Sequence, residues 1–332
     1  MKVLIIGGGA VAEMFHIPSA IELLGVGNVF VAEPDKDQRG KLSAKFGLTN
    51  LCDDYKKALK SVDFVIIATP PHLHTMIMTE CIKENLPILC EKPVTSTISE
   101  SKSVLDARGK IDIPLGVCQT YRFFPNRIHV RKLIKEGYFG KEVSVNIQEG
   151  APASWPAISG YSFRKELVQG GVLLNEGIHS LDFLLWCFGK PVDVEYYDDS
   201  IGGIESNASM KLLFKDNSQA MFRISRTCSL SNTIVIKSAF KMVELDIYDM
   251  NRIKVNNNDP ETISKNPNNG LVDWTTIAKY QIEDFLEAIN NNKKPMCTME
   301  EGANVVELVE HCYRIKRSRP LPEKAPIPGI RW

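Results

Sequence analysis

The chain has 332 residues, 44% hydrophobic and 24% charged, with 40 basic residues matching 40 acidic ones. That length exceeds the ~250 residues at which a single core stops growing, so two domains or one large one are expected. Balanced charge excludes the basic footprint of a nucleic-acid or anionic-membrane protein, and no apolar run reaches the ~18 residues of a membrane span.

Met1 leads directly into an apolar strand-like run, so no signal peptide is expected. "KVLIIG" (2–7) reads as a strand covered on both faces, and a helical stretch follows from about Ala10, interrupted by Pro18. "NVFVAE" (28–33) is a second strand, and "DKDQRGKLSAKFG" (35–47) a helix ending at Gly47. "VDFVIIATP" (62–70), "LPILCE" (86–91) and "IPLGVC" (113–118) are further strands, with helices at about 72–84 and 98–108 between them. Thr97 and Glu100 have the spacing of a capping box. This strand–helix alternation predicts a doubly wound parallel sheet.

After about residue 120 the pattern changes. Residues 125–137 and a stretch near 173–188 read as helices. Six short alternating strands then run from "VDVEYYD" to "RIKVNN", predicting an antiparallel meander. Helices near 273–292 and 299–317 follow, the second opened by the capping-box pair Thr298 and Glu301. The Pro-rich tail 319–332 reads as extended, over a sheet edge or a neighbouring subunit. The predicted fold is therefore α/β: a parallel-sheet domain at 1–120, and an α+β domain at 121–332 with a large, mostly antiparallel open sheet.

The eight cysteines are scattered without a Cys-x-x-Cys pair, so no zinc site is expected and a cytoplasmic setting fits. Between the first strand and helix, Gly7, Gly9 and Ala12 meet the Gly-x-Gly-x-x-Gly/Ala pattern of a dinucleotide loop. Glycine there allows a tight turn and close approach of main-chain N–H groups to a pyrophosphate. Glu33 ends the second strand, where a carboxylate accepts both ribose hydroxyls of NAD and repels the extra phosphate of NADP.

With these features the chain resembles the Gfo/Idh/MocA family, the relatives of glucose–fructose oxidoreductase and inositol dehydrogenase. The matching stretches are "GGGAVAEMFH", "ATPPHLH", "CEKPV", "YRFFPNR", "GYFGKEV", "GGVLLNEGIHSLD" and "EDFLEAINNNKKP", and they run nearly end to end. The resemblance implies an N-terminal Rossmann domain, and a C-terminal domain whose open sheet serves oligomerisation as a homodimer or homotetramer. It also implies NAD chemistry on a sugar or nucleotide-linked sugar. Lys92 would lie beside the nicotinamide and the reacting oxygen, with a cis bond to Pro93, and His179 would be the catalytic histidine.

The candidate cofactor set is Gly7, Gly9, Ala10, Val11, Ala12, Glu33, Thr69, Pro70, His74, Glu91 and Lys92. Glu91 is expected to orient or charge-pair Lys92, while His16, His72 and His74 are read as shaping the crevice rather than carrying protons. Asn175, His179 and Asp182 stand at i, i+4 and i+7, on one face of a regular helix, and Asp182 reads either as orienting the imidazole or as a helix-surface aspartate. Position 175 usually carries aspartate in the family. Asn175 can bond a hydroxyl but cannot take its proton, which shifts that work to Lys92 and His179. Tyr121, Arg122, Trp155, Tyr161 and Arg164 are candidate substrate contacts. Two other readings share the fold: a non-redox sugar-processing enzyme that retains NAD, and a ligand-sensing regulator.

Overall fold

The computed structural model describes residues 1–152, 168, 170–200, 204–256, 258–263 and 271–317. Trp155, Tyr161, Arg164 and the Pro-rich tail lie outside the described residues.

Six strands form a parallel sheet: β1 (Val3–Ile6), β2 (Val29–Ala32), β3 (Leu51–Cys52), β4 (Phe64–Ile67), β5 (Ile88–Glu91) and β6 (Leu115–Cys118), in the order β3-β2-β1-β4-β5-β6. β1 and β4 are buried at every position because helices cover both faces. Those helices are α1 (Ile17–Leu24), α2 (Lys36–Phe46), α3 (His74–Lys83) and α4 (Ile98–Arg108). Thr97 and Glu100 close the predicted capping box, and Gly47 ends α2 with φ 68°. Pro18 does not interrupt the first helix: a π turn, Ala12–His16, runs straight into α1, with the proline in its first turn.

Register aligns the strand ends. Ile6 pairs with Ala32 and Ile67, Ile67 with Cys90, and Glu91 with Cys118. The residues just beyond them therefore leave the sheet along one edge, the position of a ligand crevice in a doubly wound sheet.

After α5 (Pro125–Lys135) comes β7 (Ser144–Gly150), then a π turn (Leu173–Gly177) and α6 (Ile178–Phe188). The remaining strands are β8 (Asp193–Asp198), β9 (Asn207–Leu213), β10 (Gln219–Ser225), β11 (Thr233–Lys237), β12 (Met242–Asp246), β13 (Arg252–Val255) and β14 (Glu261–Thr262). The sheet order is β14-β13-β12-β11-β7-β10-β9-β8. The expected simple meander is thus corrected: β7 sits in the middle, antiparallel to β11 and parallel to β10.

α7 (Trp274–Asn291) and α8 (Met299–Ile315) tie the two sheets together. Ile282 and Phe285 join one core layer of the parallel sheet and Met299 and Val306 the other, while Ile277, Val305 and Val309 join the core of the large sheet. No described helix is long and apolar enough to cross a membrane.

Candidate active site

The glycine loop is shaped for a phosphate-bearing ligand. Gly7 has φ 101°, and a Cβ there would lie 2.7 Å from the Ala68 carbonyl oxygen, so only glycine fits. A Cβ on Gly9 would meet nothing within 4 Å, which leaves an open cradle at the start of the first helix, beside Ala10 and Val11. The Glu33 carboxylate stands over this loop, accepting from the Gly8 N–H at 2.7 Å and the Asp35 N–H at 2.9 Å. Across the crevice, the Thr69 hydroxyl is buried without a hydrogen-bond partner among the described residues. An open cradle, a carboxylate at the second strand end and an orphan hydroxyl fit a dinucleotide.

Beyond β5 the Lys92–Pro93 peptide is cis. Lys92 Nζ donates to the Asn175 main-chain oxygen at 2.7 Å, bringing the two halves of the chain together. Burial lowers the Lys92 pKa, while Glu91, Glu176 and Glu149 act in the opposite sense. Glu91 does not bond the ammonium. Its Oε1 lies 2.8 Å from His16 Nε2 and its Oε2 accepts the Lys92 N–H at 3.1 Å. Cys118 is the third member of this buried cluster, whose polar atoms lie within 4.8 Å of one another. Glu91 therefore fixes the main chain that carries Lys92, and acts on the ammonium only through space.

His74 is fully buried, and its ring nitrogens lie 3.0 Å from the Pro93 oxygen and 2.8 Å from the Thr69 oxygen. Both nitrogens are used inside the fold. The residue joins two crevice segments and is not free to bond a cofactor.

His179 lies in the first turn of α6. Its ring stacks on Tyr121 at 4.8 Å, and Nδ1 is 3.2 Å from Gln119 Oε1. An amide oxygen only accepts, so this contact puts the proton on Nδ1 and leaves the Nε2 lone pair available. Burial, and then the Lys92 charge, push the His179 pKa well below its ordinary 6.5. The imidazole is therefore held neutral, and the Lys92 charge opposes its protonation.

Three expectations change here. Asp182 does not orient His179: its carboxylate takes two hydrogen bonds from Arg122, Nε and Nη2, each 2.8 Å. Arg122 is in turn not a substrate contact. It is buried, also donates to the Met296 oxygen at 2.8 Å, and lies 3.0 Å from Glu301. Asn175 does not follow the spacing of a regular helix, because residues Leu173–Gly177 form a π turn, and its carbonyl is what meets Lys92. Glu176 is held by Arg226 Nη2 at 2.8 and 3.0 Å. Gln119 and the buried Glu149 were not singled out from the sequence.

Known proteins share the family and the fold. A family model described as an oxidoreductase family with an NAD-binding Rossmann fold matches residues 1–116, and the GFO/IDH/MocA C-terminal domain matches residues 128–239. The chain belongs to the Gfo/Idh/MocA family. Levoglucosan dehydrogenase of Pseudarthrobacter phenanthrenivorans is 29% identical over 170 residues, 48% of this chain and 42% of that protein. The rhizopine catabolism protein MocA of Rhizobium meliloti is 28% identical over 189 residues, 56% of each chain. The chain thus aligns with about half the length of these relatives. A solved levoglucosan dehydrogenase complex with NADH and levoglucosan superposes with a TM-score of 0.80 at 19% identity, over 95% of this chain and 98% of that one. At that identity the likeness is one of fold. In this Gfo/Idh/MocA chain Gly7, Gly9, Ala12, Glu33 and Thr69 all fall within the part that matches the NAD-binding Rossmann model.

Proposed function

We propose that this protein is an NAD-dependent oxidoreductase that exchanges a hydride between nicotinamide and a hydroxyl or ketone of a sugar or nucleotide-linked sugar. One observation supports the reading: Lys92 Nζ, just beyond β5, donates to the Asn175 carbonyl four residues before His179, and its charge acts on the imidazole. When bound, NAD supplies the ring that takes or gives the hydride. Lys92 stabilises negative charge developing on the substrate oxygen, and His179 accepts its proton at Nε2. Asn175 offers an amide to a neighbouring hydroxyl. Tyr121 supports the imidazole from its face.

We assign residues 1–120 to cofactor binding and 121–332 to substrate binding. The outer face of the large sheet, where Met221 is 52% exposed, supports self-association as a dimer or tetramer. Eight unpaired cysteines support a reducing cytoplasm.

The test is a panel of aldoses, inositols and nucleotide sugars, with NADH fluorescence as readout. A substrate-dependent rise in NADH is expected. Sugar turnover with no net NADH would replace this reading with the cofactor-retaining one.

A further inference from the structure

We propose that Glu205 is a positioning residue for Lys92, because it fixes the start of the segment whose Asn175 carbonyl anchors the ammonium. The proposal rests on the reading of Lys92 as the working cation of the site.

Glu205 stands just before β9 and is 3% exposed. It takes three consecutive main-chain N–H groups at the entry to the π turn. The Gly171 N–H donates to Oε2 at 2.8 Å, the Val172 N–H to the Glu205 main-chain oxygen at 3.0 Å, and the Leu173 N–H to Oε1 at 3.0 Å. The first N–H groups of a helical segment have no acceptor within it, and negative charge at that end is favourable. Here both are supplied by a residue 32 to 34 positions further along the chain. Oε1 also accepts from the Tyr313 hydroxyl of α8 at 2.7 Å. The lead into β9, the helix α8 and the π turn therefore meet on one buried carboxylate.

The two glycines at this point show how closely these parts fit. A Cβ on Gly171 would lie 1.9 Å from the Glu205 main-chain oxygen, and one on Gly170 would lie 2.3 Å from the Tyr313 hydroxyl oxygen. Neither glycine has a positive φ, so it is close approach and not turn conformation that calls for them. A side chain at either position would push the clamp off the turn.

The clamp leads directly to the lysine. The Asn175 N–H donates to the Gly171 oxygen at 3.1 Å, which closes the turn on a residue that Glu205 holds. The Asn175 oxygen in turn receives Lys92 Nζ at 2.7 Å. The contacts run without a break from the Glu205 carboxylate to Gly171, from Gly171 to Asn175 and from Asn175 to the ammonium. A main-chain anchor stays in place only as well as the main chain does, and Glu205 is what holds that main chain at its start.

The test is hydrogen exchange by NMR in the NAD-loaded full-length protein. It follows the Gly171 and Leu173 N–H groups, the Lys92 ammonium, assigned by its loss in Lys92→Arg, and the N–H of Ile66. Ile66 is buried in β4 and reports general loss of stability. Glu205→Gln keeps the shape, but an amide has one accepting oxygen where the carboxylate has two. Gly171 or Leu173 then loses its acceptor. Exchange should quicken at that N–H, and about tenfold at the Lys92 ammonium, as expected when a hydrogen bond to a charged group is lost. Ile66 should keep its native rate. Tyr313→Phe leaves both main-chain acceptors in place and should give the same pattern at smaller amplitude. Lys92 exchange that stays native in folded Glu205→Gln, or rises only in step with Ile66, would overturn the proposal, since Glu205 would then do no more than cap the turn. If that variant does not fold, the same result in Tyr313→Phe overturns it equally. No sugar is present, so a failed substrate panel and a failed exchange experiment remain separate results.

Discussion

Lys92 Nζ is held by the main-chain oxygen of Asn175, 2.7 Å away, and by no side chain among the described residues. The lysine leaves the parallel sheet at the end of β5, and the carbonyl belongs to a π turn 83 positions later. A main-chain anchor is insensitive to the side chain at position 175. It also joins the two domains at the site where hydride and proton would be exchanged.

The first prediction concerns that chemistry. Lys92→Met and His179→Ala should each lower turnover about 10²- to 10⁴-fold, the usual worth of a positioned acid–base group. NADH affinity should stay within a few-fold of native, about 1 kcal/mol at most, because the glycine loop and Glu33 are untouched. Turnover near the native level in either variant removes that residue from the mechanism.

Cofactor choice follows from Glu33. Its carboxylate accepts from the Gly8 N–H, and Arg39 Nη1 donates to the Glu33 and Pro34 main-chain oxygens at 2.6 and 2.8 Å. A ribose 2′-phosphate would therefore meet a carboxylate. NAD(H) should bind about tenfold or more tightly than NADP(H), and Glu33→Ala should narrow that gap. Paired dissociation constants by fluorescence titration decide it; tighter NADP(H) binding to the native protein sinks it.

The parallel-sheet half was legible because its signals are local. Apolar runs, capping residues and terminal glycines lie within a few positions of one another. β3 escaped because two residues, Leu51 and Cys52, carry no periodicity. β7 escaped because "SVNIQEG" ends in polar residues, and its central place depends on pairing with β10 and β11, far along the chain. The misplacements in the site have the same origin. Arg122 looks like an anion ligand until Asp182, 60 positions away, is brought against it. The π turn at Leu173–Gly177 leaves no mark in the sequence, so regular helical spacing misplaced Asn175 relative to His179. Glu149 did leave a signal: a carboxylate in register with Val145 and Ile147 on an alternating strand.

The Arg122–Asp182 pair yields a stability prediction. Both side chains are buried, 2% and 0% exposed, and the pairing is bidentate. Asp182→Asn would leave a guanidinium without its buried counter-ion. Breaking such a pair from one side costs about 3–5 kcal/mol. Urea unfolding of Asp182→Asn should show a midpoint lowered accordingly, with the slope unchanged. A midpoint equal to the native one would mean that Glu301 and the Met296 oxygen suffice for Arg122.

Glu149 gives the last prediction, on stability against pH. Its carboxyl group titrates near 4.5 in an exposed chain and at about 7 in the fold, because burial opposes the charged form. The folded state therefore holds a proton that the unfolded state has released. Below about pH 4.5 both states are protonated and the group costs nothing. As pH rises from there the unfolded chain ionises first and stability falls, until above about 7 the folded protein must bury the charge as well. The accumulated cost is on the order of 3 kcal/mol. Glu149→Gln has no proton to lose. It should match the native protein below about pH 4.5 and exceed it above about 7, a difference that chemical denaturation on either side of that range would resolve. Parallel curves would show that Glu149 has no unusual pKa. A native protein that gains stability over the variant on the alkaline side would show that a counter-charge, most directly Arg127, already neutralises the carboxylate in the fold.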